Sequence, residues 1–361
     1  MDYLSNLEAT NTLIATGIFG AVVAFVAMFG LFSRKNQMPV EGRTVLLTGA
    51  SEGMGLAVAT QLAAKGANLI LVARNVGRLE EALLAVKAAA ASPSSQRFTY
   101  ISADVSETDF AARVIAEAIA WNSGAPPDIV WNIAGLSTPL LWTHDDALPA
   151  ARNNMSVNFF GAAELSHAIL REWLVPVTPA ISGTTTPPAA KPEPKHLIFT
   201  SSVIAFFPIP GYATYAPSKH ALRGLADTLA MEMSLYPDTP VKIHIVCPGT
   251  ITSPGLEREN MTKPGITLEI EGEEEPSTPE EVARKSIAGL ESGNYFVTVS
   301  LLNWLMQCGI TGASPRNSWV MDTVLGWLMP IVYYFVLGGM HKQIARWGRE
   351  KGHPGTGTKR V

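Results

Sequence analysis

The chain is short of charge. Only 16% of its 361 residues are Asp, Glu, Lys or Arg, where soluble domains average about 25%. Disordered segments combine high charge with few apolar residues, and at 47% apolar the bulk of this chain has the opposite character. A basic excess is missing too. Lys plus Arg number 27 against 31 for Asp plus Glu, a net charge of −4, so there is no global positive field for nucleic acid. Cysteine is nearly absent: Cys247 and Cys308 make neither a disulfide framework nor a four-ligand zinc site, and they fit a reducing compartment. His196, His220 and His244 show no metal-ligand spacing and read as structural residues.

The missing charges are missing from particular places. Residues 12–32 and 292–340 hold only Arg316 and Asp322 among all the charges of the chain. As a helix, residues 12–32 reach about 31 Å, the thickness of a bilayer's hydrocarbon core, and are expected to span. A cleaved signal peptide fits poorly, because Asp2 and Glu8 precede the run without any Lys or Arg. Residues 296–313 and 323–340 are again uncharged, with the turn-like Ser314-Pro315-Arg316-Asn317-Ser318 between them. A hydrophobic hairpin over 296–340 accounts for both. Whether it crosses, sits in one leaflet or lies on the surface as an apolar helix pair stays open, since Asn303, Gln307, Asp322 and Pro330 weaken the spans. Arg34, Lys35 and Arg43 follow the first run, and Lys342, Arg346, Arg349, Lys351, Lys359 and Arg360 follow the last. Basic flanks stay cytosolic. Residues 1–11 are then expected in a lumen, with the middle of the chain and the 341–361 tail in the cytosol.

Between 42 and 295 the sequence alternates strand-length apolar runs (44–48, 68–73, 98–102, 128–132, 196–201 and 241–246) with Ala- and Leu-rich stretches such as 55–65, 77–91 and 110–123. That alternation predicts an α/β domain, a doubly wound parallel sheet of the Rossmann type. Residues 178–195 break the pattern with five prolines, which predicts an exposed insertion. The acidic run 269–275 reads as a solvated loop.

Where the first strand should hand over to the first helix stands Thr48-Gly49-Ala50-Ser51-Glu52-Gly53-Met54-Gly55. Glycines at Gly49, Gly53 and Gly55 let the backbone turn tightly and approach a pyrophosphate, held by amides at the helix N-terminus. The second strand sharpens the cofactor. An NAD site normally ends that strand with a carboxylate for the ribose, but here it ends Val72-Ala73-Arg74-Asn75, with Arg78 a turn later. A guanidinium suits a 2′-phosphate, so NADPH is expected, with Arg74 as its main phosphate partner and Ser51 and Arg78 as secondary ones. Tyr215 and Lys219 are spaced i, i+4, on one face of a helix; a neighbouring ammonium is expected to lower the phenol's pKa toward neutral. Cys247 reads as a buried small residue rather than a nucleophile.

These residues, with Asp104 after the third strand, Asn132-Ile133-Ala134-Gly135, Asn158, Ser202 thirteen positions before Tyr215, Tyr215-Ala216-Pro217-Ser218-Lys219 and Pro248-Gly249, resemble the short-chain dehydrogenase/reductases over roughly 42–295. Ile133 departs from the family's usual Asn. The resemblance implies a catalytic set of Asn158, Ser202, Tyr215 and Lys219: Tyr215 gives the proton in reduction, Ser202 bonds the substrate carbonyl, Asn158 holds a water of the proton relay and Lys219 reaches the nicotinamide ribose. It implies cofactor contacts from Gly49, Ser51, Glu52, Gly53, Gly55, Arg74, Arg78, Asp104, Asn132, Tyr215, Lys219, Ile251 and Thr252, and no metal.

Residues 252–264, TSPGLERENMTKP, are similar to a segment of the 3-ketodihydrosphingosine reductases. Those are endoplasmic-reticulum enzymes that reduce 3-ketosphinganine to sphinganine with NADPH in sphingolipid biosynthesis. The resemblance implies a long-chain lipid ketone as substrate and a membrane as partner, and leaves a homo-oligomer open. Glu257 and Glu259 face either the substrate's amine or solvent. A membrane-anchored retinal or ketosteroid reductase shares every catalytic motif, and a non-catalytic NADPH-binding scaffold is the reading from another class.

Overall fold

The computed structural model describes residues 35–175, 193–272 and 275–351. Contacts divide the chain into two units, Met1–Gln37 and Met38–Val361. The expected membrane helix at 12–32, the segment 1–11, most of the proline-rich insertion and the last ten residues of the tail lie outside the described residues.

Strand β1 (Thr44–Thr48) has all five residues buried, as befits a parallel strand covered by helices on both faces. Then follow α1 (Gly53–Ala63), β2 (Asn68–Ala73), α2 (Val76–Ala88), β3 (Phe98–Ser102), α3 (Phe110–Trp121) and β4 (Ile129–Asn132). The second half runs α4 (Ala147–Asn154), a π-helical turn (Met155–Phe160), α5 (Gly161–Leu174), β5 (Lys195–Thr200), α6 (Ala216–Glu232) and β6 (Val241–Cys247). It closes with α7 (Pro254–Asn260), α8 (Gly265–Glu271), α9 (Pro279–Glu291), β7 (Phe296–Thr298), α10 (Leu301–Ile310) and α11 (Trp319–Lys351).

The strands pair in the order β3-β2-β1-β4-β5-β6-β7, all parallel, the doubly wound sheet that the alternation predicts. Side chains alternate across it. Leu46, Val130, Leu197 and Ile245 point to a core shared with Val114 of α3, Ile169 of α5 and Leu222 of α6. Val45, Leu47, Trp131, Ile198 and Val246 point to the other, with Val58 of α1, Leu79 of α2 and Ile287 of α9. The chain moves outward from β1 to β3 and returns to place β4 beside β1. That reversal opens a crevice at the carboxyl ends of the two strands, where such sheets bind ligands.

The C-terminal region corrects the sequence reading. Residues 296–313 are not one membrane-seeking helix. Phe296 and Val297 are buried as an edge strand against Ile245 and Val246 of β6, and α10 has ten residues, about 15 Å, half a hydrocarbon core. Its Gln307 is buried and bonds Thr311 Oγ1 at 2.8 Å. The second arm is longer than expected. It runs as α11 for 33 residues, through 323–340 and on into the basic tail. Among the described residues α11 is the one helix long and apolar enough to cross a membrane. Asp322 does not interrupt it. Its carboxylate is buried and accepts from Asn317 N at 2.9 Å and Ser318 N at 3.2 Å, while Ser318 Oγ accepts from Met321 N, a reciprocal cap that starts the helix. The acidic run is corrected as well: Glu269 and Glu271 lie in α8, and Glu271 faces inward.

His196 of β5 and His244 of β6 are buried as a pair, Nδ1 to Nε2 at 3.0 Å, and His244 Nδ1 meets Asn294 O at 2.7 Å. Burial lowers both, His196 to about 2 and His244 to about 4. Below pH 6.5 the unfolded chain therefore takes up protons that the folded one refuses. Stability is complete above the unfolded value and drains away as pH falls toward about 4. The urea midpoint is expected to drop on going from pH 7.5 to pH 5, with net proton uptake on unfolding; an unchanged midpoint over that interval would contradict the buried neutral pair.

Candidate active site

Thr48, the last residue of β1, accepts from Ile133 N at 3.0 Å and Ala134 N at 3.1 Å through its hydroxyl, so the ends of β1 and β4 are stapled side by side. Asn132 is buried next to them, its Nδ2 3.5 Å from Ile198 O. Ile133, the departure from the family pattern, serves here through its backbone. The glycine turn then passes through contacts that no side chain permits. Gly49 has φ +66°, and a Cβ there would stand 2.8 Å from the Ala134 backbone; one at Gly55 would stand 2.0 Å from the Gly49 carbonyl. Glu52, the N-cap of α1, makes no side-chain cap bond, which leaves the first amides of α1 open. With Ser51 half-buried in the same turn, the cradle fits a pyrophosphate.

At the end of β2, Arg74 is largely exposed and its Nη1 reaches Asp104 Oδ2 at 3.5 Å. Partial burial would raise the Asp104 carboxyl, but bonds from Ser106 N and Oγ at 2.9 and 2.7 Å, together with Arg74, hold it below the usual range. Arg78 is differently placed from Arg74. Its guanidinium pairs with Glu52, whose other oxygen takes Arg258 of α7 at 2.7 Å. Glu52 thus ties the turn after β1 to α7, and Arg74, with only the longer contact to Asp104, is the more exposed of the two guanidiniums.

The two serines after β5 separate as strand alternation demands. Ser201 Oγ donates to Lys219 O at 2.9 Å, and the Ser202 hydroxyl accepts from Ile204 N at 3.3 Å on the side of the Tyr215 phenol. Tyr215 stands at the N-cap of α6, with Lys219 a turn inside it. Lys219 Nζ donates to Thr200 O at 3.0 Å and lies 5.7 Å from the Tyr215 ring centroid. Asn158 sits in the π-helical turn, a distortion common at functional sites. Its Oδ1 accepts from Leu136 N at 2.8 Å, and its Nδ2 donates to Leu136 O and Ser218 Oγ, both at 2.9 Å. Both amide hydrogens are spent on protein groups, and Oδ1 keeps one lone pair for a further donor. Gly135 keeps the space between Asn158 and Lys219 clear, since a Cβ would come within 3.2 Å of Asn158 Oδ1 and 3.3 Å of Lys219 Nζ.

The electrostatics differ from the sequence expectation. Burial lowers Lys219 to about 8. Tyr215 goes up rather than down: burial first and then the charge of Glu259 raise it, outweighing the Ser202 hydroxyl beside it. Such a phenol keeps its proton at neutral pH. Cys247 is fully buried and burial pushes its thiol up to about 12, which matches an inert core residue. Ile251 bridges to Ser277, and Thr252 N donates to Ser277 O at 3.0 Å, so the loop after β6 is fixed by its backbone while Thr252 faces outward.

A cluster above Tyr215 escaped the sequence reading. The Tyr212 ring lies 5.9 Å from that of Tyr215, and its hydroxyl meets Glu259 Oε1 at 2.5 Å and Glu271 Oε1 at 2.6 Å. Lys263, nearly fully buried, pairs with Glu259 at 3.1 Å and Glu271 at 2.9 Å. Two carboxylates, one ammonium and a single phenol proton leave a net negative charge beside Tyr215. The i, i+4 spacing of Glu259 and Lys263 was a readable signal; Glu271 was hidden in a run that looked solvated. Glu257 is exposed.

A family model for short chain dehydrogenases matches residues 43–264. The chain is 63% identical over 360 residues to the 3-ketodihydrosphingosine reductase gsl-3 of Neurospora crassa, covering 100% of this chain and 97% of that one. It is 42% identical to the 3-ketodihydrosphingosine reductase ksrA of Aspergillus fumigatus, covering 98% of each. Among solved structures it is similar to a levodione reductase, with a TM-score of 0.58, 23% identity and coverage of 72% of this chain and 97% of that one. A second is a short chain dehydrogenase from Burkholderia cenocepacia in complex with NADP, with a TM-score of 0.55, 20% identity and coverage of 76% and 95%.

Because a Cβ at position 55 meets a carbonyl oxygen at 2.0 Å, Gly55→Ala is expected to displace the turn. NADPH at a hundredfold excess over its Kd should stabilise the parent protein by about 2.7 kcal/mol in a thermal shift and leave the variant's Tm nearly unmoved. An equal shift in both would show that the turn does not hold the dinucleotide.

Proposed function

The chain belongs to the short-chain dehydrogenase/reductase family, and on that premise we propose that it reduces 3-ketodihydrosphingosine to dihydrosphingosine with NADPH, on the cytosolic face of the endoplasmic-reticulum membrane. One observation carries the substrate: identity of 63% to a reductase of that name, from end to end rather than over the nucleotide-binding half alone.

The geometry supports a division of roles among the site residues. When bound, NADPH supplies the hydride that reaches the carbonyl carbon. The cradle of Gly49, Gly53 and Gly55 takes the pyrophosphate, with Ser51 beside it, and Arg74 takes the 2′-phosphate. Tyr215 gives its proton to the ketone oxygen as the carbonyl electron pair collapses onto it, and its raised pKa suits a group that must arrive protonated. Ser202, beside the Tyr215 phenol, bonds the same oxygen. Lys219 returns the proton, its lowered pKa making the ammonium a ready donor, and Asn158 fixes the Gly135–Leu136 backbone beside it and offers its free lone pair to a relaying water. Glu259 is the carboxylate placed to face an ammonium on the carbon next to the ketone. Membrane residence is supported by α11, which exposes Trp319, Val324, Trp327, Ile331 and Phe335 and then carries Lys342, Arg346 and Arg349, an apolar surface followed by basic residues that suits a helix lying against an anionic membrane surface.

The direct test follows NADPH oxidation by membranes carrying the protein, supplied with 3-ketodihydrosphingosine, retinal or a ketosteroid. The ketosphingoid base should be consumed, and Tyr215→Phe should lose at least about a hundredfold in kcat. Turnover of retinal alone would overturn the substrate, and full activity of Tyr215→Phe would overturn the catalytic assignment. The pH profile gives an independent reading. Lys219 is charged below about 8, so kcat/KM for reduction should hold level at neutral pH and fall as pH rises through that value; a level profile to pH 10 would remove Lys219 from the proton path.

A further inference from the structure

A groove separates the second half of α11 from the segment that leads to the catalytic tyrosine. Its loop wall is Pro208, Ile209 and Pro210, and its helix wall is Leu337, Met340 and Ile344 with the His341 side chain beside them. The helix residues follow the i, i+3, i+4, i+7 spacing of a single face. Two of the three loop residues are prolines and have no N–H to leave unsatisfied, so the cleft is apolar on both sides. Its volume is about 290 Å³, on the order of ten groups the size of a water molecule or a methylene.

We propose that this groove holds the alkyl tail of the lipid ketone while the ketone sits at Tyr215. The proposal deepens the function given above and rests on a long-chain substrate. Its support is the position of the two ends. At the inner end, Pro210 leads through Gly211 to Tyr212, whose ring lies against that of Tyr215. At the outer end, α11 exposes Ile331, Val332, Phe335 and Val336 just before the groove residues, with Lys342 falling among those residues in sequence and Arg346 just after them. The groove therefore opens where the helix changes from lipid-like to headgroup-like surface, the level at which a membrane-dissolved ketone presents its polar end. The walls are fixed rather than formed by the ligand. Thr267 Oγ1 donates to Pro210 O at 2.7 Å, the Phe207 and Tyr333 rings stand 5.8 Å apart, and Tyr333 donates to Met306 O at 2.6 Å.

A tail in this groove should be felt as a chain-length effect, since each methylene buried is worth about fourfold in affinity. The full-length protein in membranes is assayed with 2-amino-3-keto-1-alkanols of eight and eighteen carbons, as the parent and as Ile344→Trp and Leu337→Trp, which fill the groove from two positions. The parent should favour the longer substrate, and each variant should lower the ratio of kcat/KM for the long over the short substrate by about tenfold or more. A ratio unmoved in both variants overturns the groove while leaving the reductase reading intact. A parent that reduces neither substrate overturns the reductase reading and the groove with it. Thermal shifts with NADPH confirm that both variants are folded. Protection of the parent by an added fatty acid, with no dependence of turnover on chain length, would assign the groove to a resident lipid and overturn the proposal.

Discussion

A sheet whose strands all run parallel, with helices over both faces, has few places for exposed polar chemistry. Backbone groups inside it are consumed by neighbouring strands, and its side chains enter one of two apolar cores. What remains is the row of loops at the carboxyl ends. Every residue assigned to the site hangs there or on the helix that starts there: Gly49 to Gly55 after β1, Arg74 after β2, Asp104 after β3, Gly135 after β4, Ser202 after β5 and Thr252 after β6. The constraint also ranks them in space. Because β1 and β4 are adjacent, the glycine turn and the Gly135 loop share one crevice, with β2 and β3 on the nucleotide side and β5 and β6 on the substrate side.

The same enclosure sets the acid–base behaviour. A lysine beside a tyrosine invites the expectation of an acidified phenol, but the structure puts Lys219 on a backbone carbonyl and buries both groups. Desolvation works against each charged form, so the ammonium is weakened and the phenolate is weakened more, with Glu259 adding to the second effect. The two values move toward a pair in which the phenol holds a proton and the lysine can replace it. The negative roof of Glu259 and Glu271 therefore bears on the protonation of the phenol beneath it.

The six long strands were legible because each is a short run rich in β-branched, aromatic or other apolar residues between helix-like stretches, and their limits fell within a residue of those observed. Ser202 was separable from Ser201 on alternation and spacing alone. The failures have a common cause. β7 has three residues and continues into apolar helix, so nothing in its sequence distinguishes a strand filling the edge beside β6 from the start of a membrane segment. What the sequence hid is that Arg78 and Glu52, both expected at the cofactor, pair with each other, and that Arg258 reaches Glu52 from about two hundred positions away. Glu271 looked solvated because its neighbours are acidic, whereas one turn of α8 brings it to Lys263 and Tyr212. Pairings across such distances are set by the packing of helices on the sheet, which periodicity describes only one element at a time.

The low charge with which the sequence is marked divides unevenly once α10 and α11 are seen. α10 turns Met306, Cys308 and Ile310 toward the core with Asn303 and Gln307 buried beside them, and leaves only Leu301 and Leu302 of its first turn exposed. α11 leaves its apolar side chains outside, where water would oppose them. A soluble enzyme gains nothing from such a face, and a helix that only crossed a bilayer would have no reason to carry a second, inward stripe at Tyr333, Leu337, Met340 and Ile344. The two stripes on one helix make sense together. In the proposed function, one would hold the catalytic unit at the membrane surface from which a lipid ketone comes, and the other begins beside the loop of Tyr212.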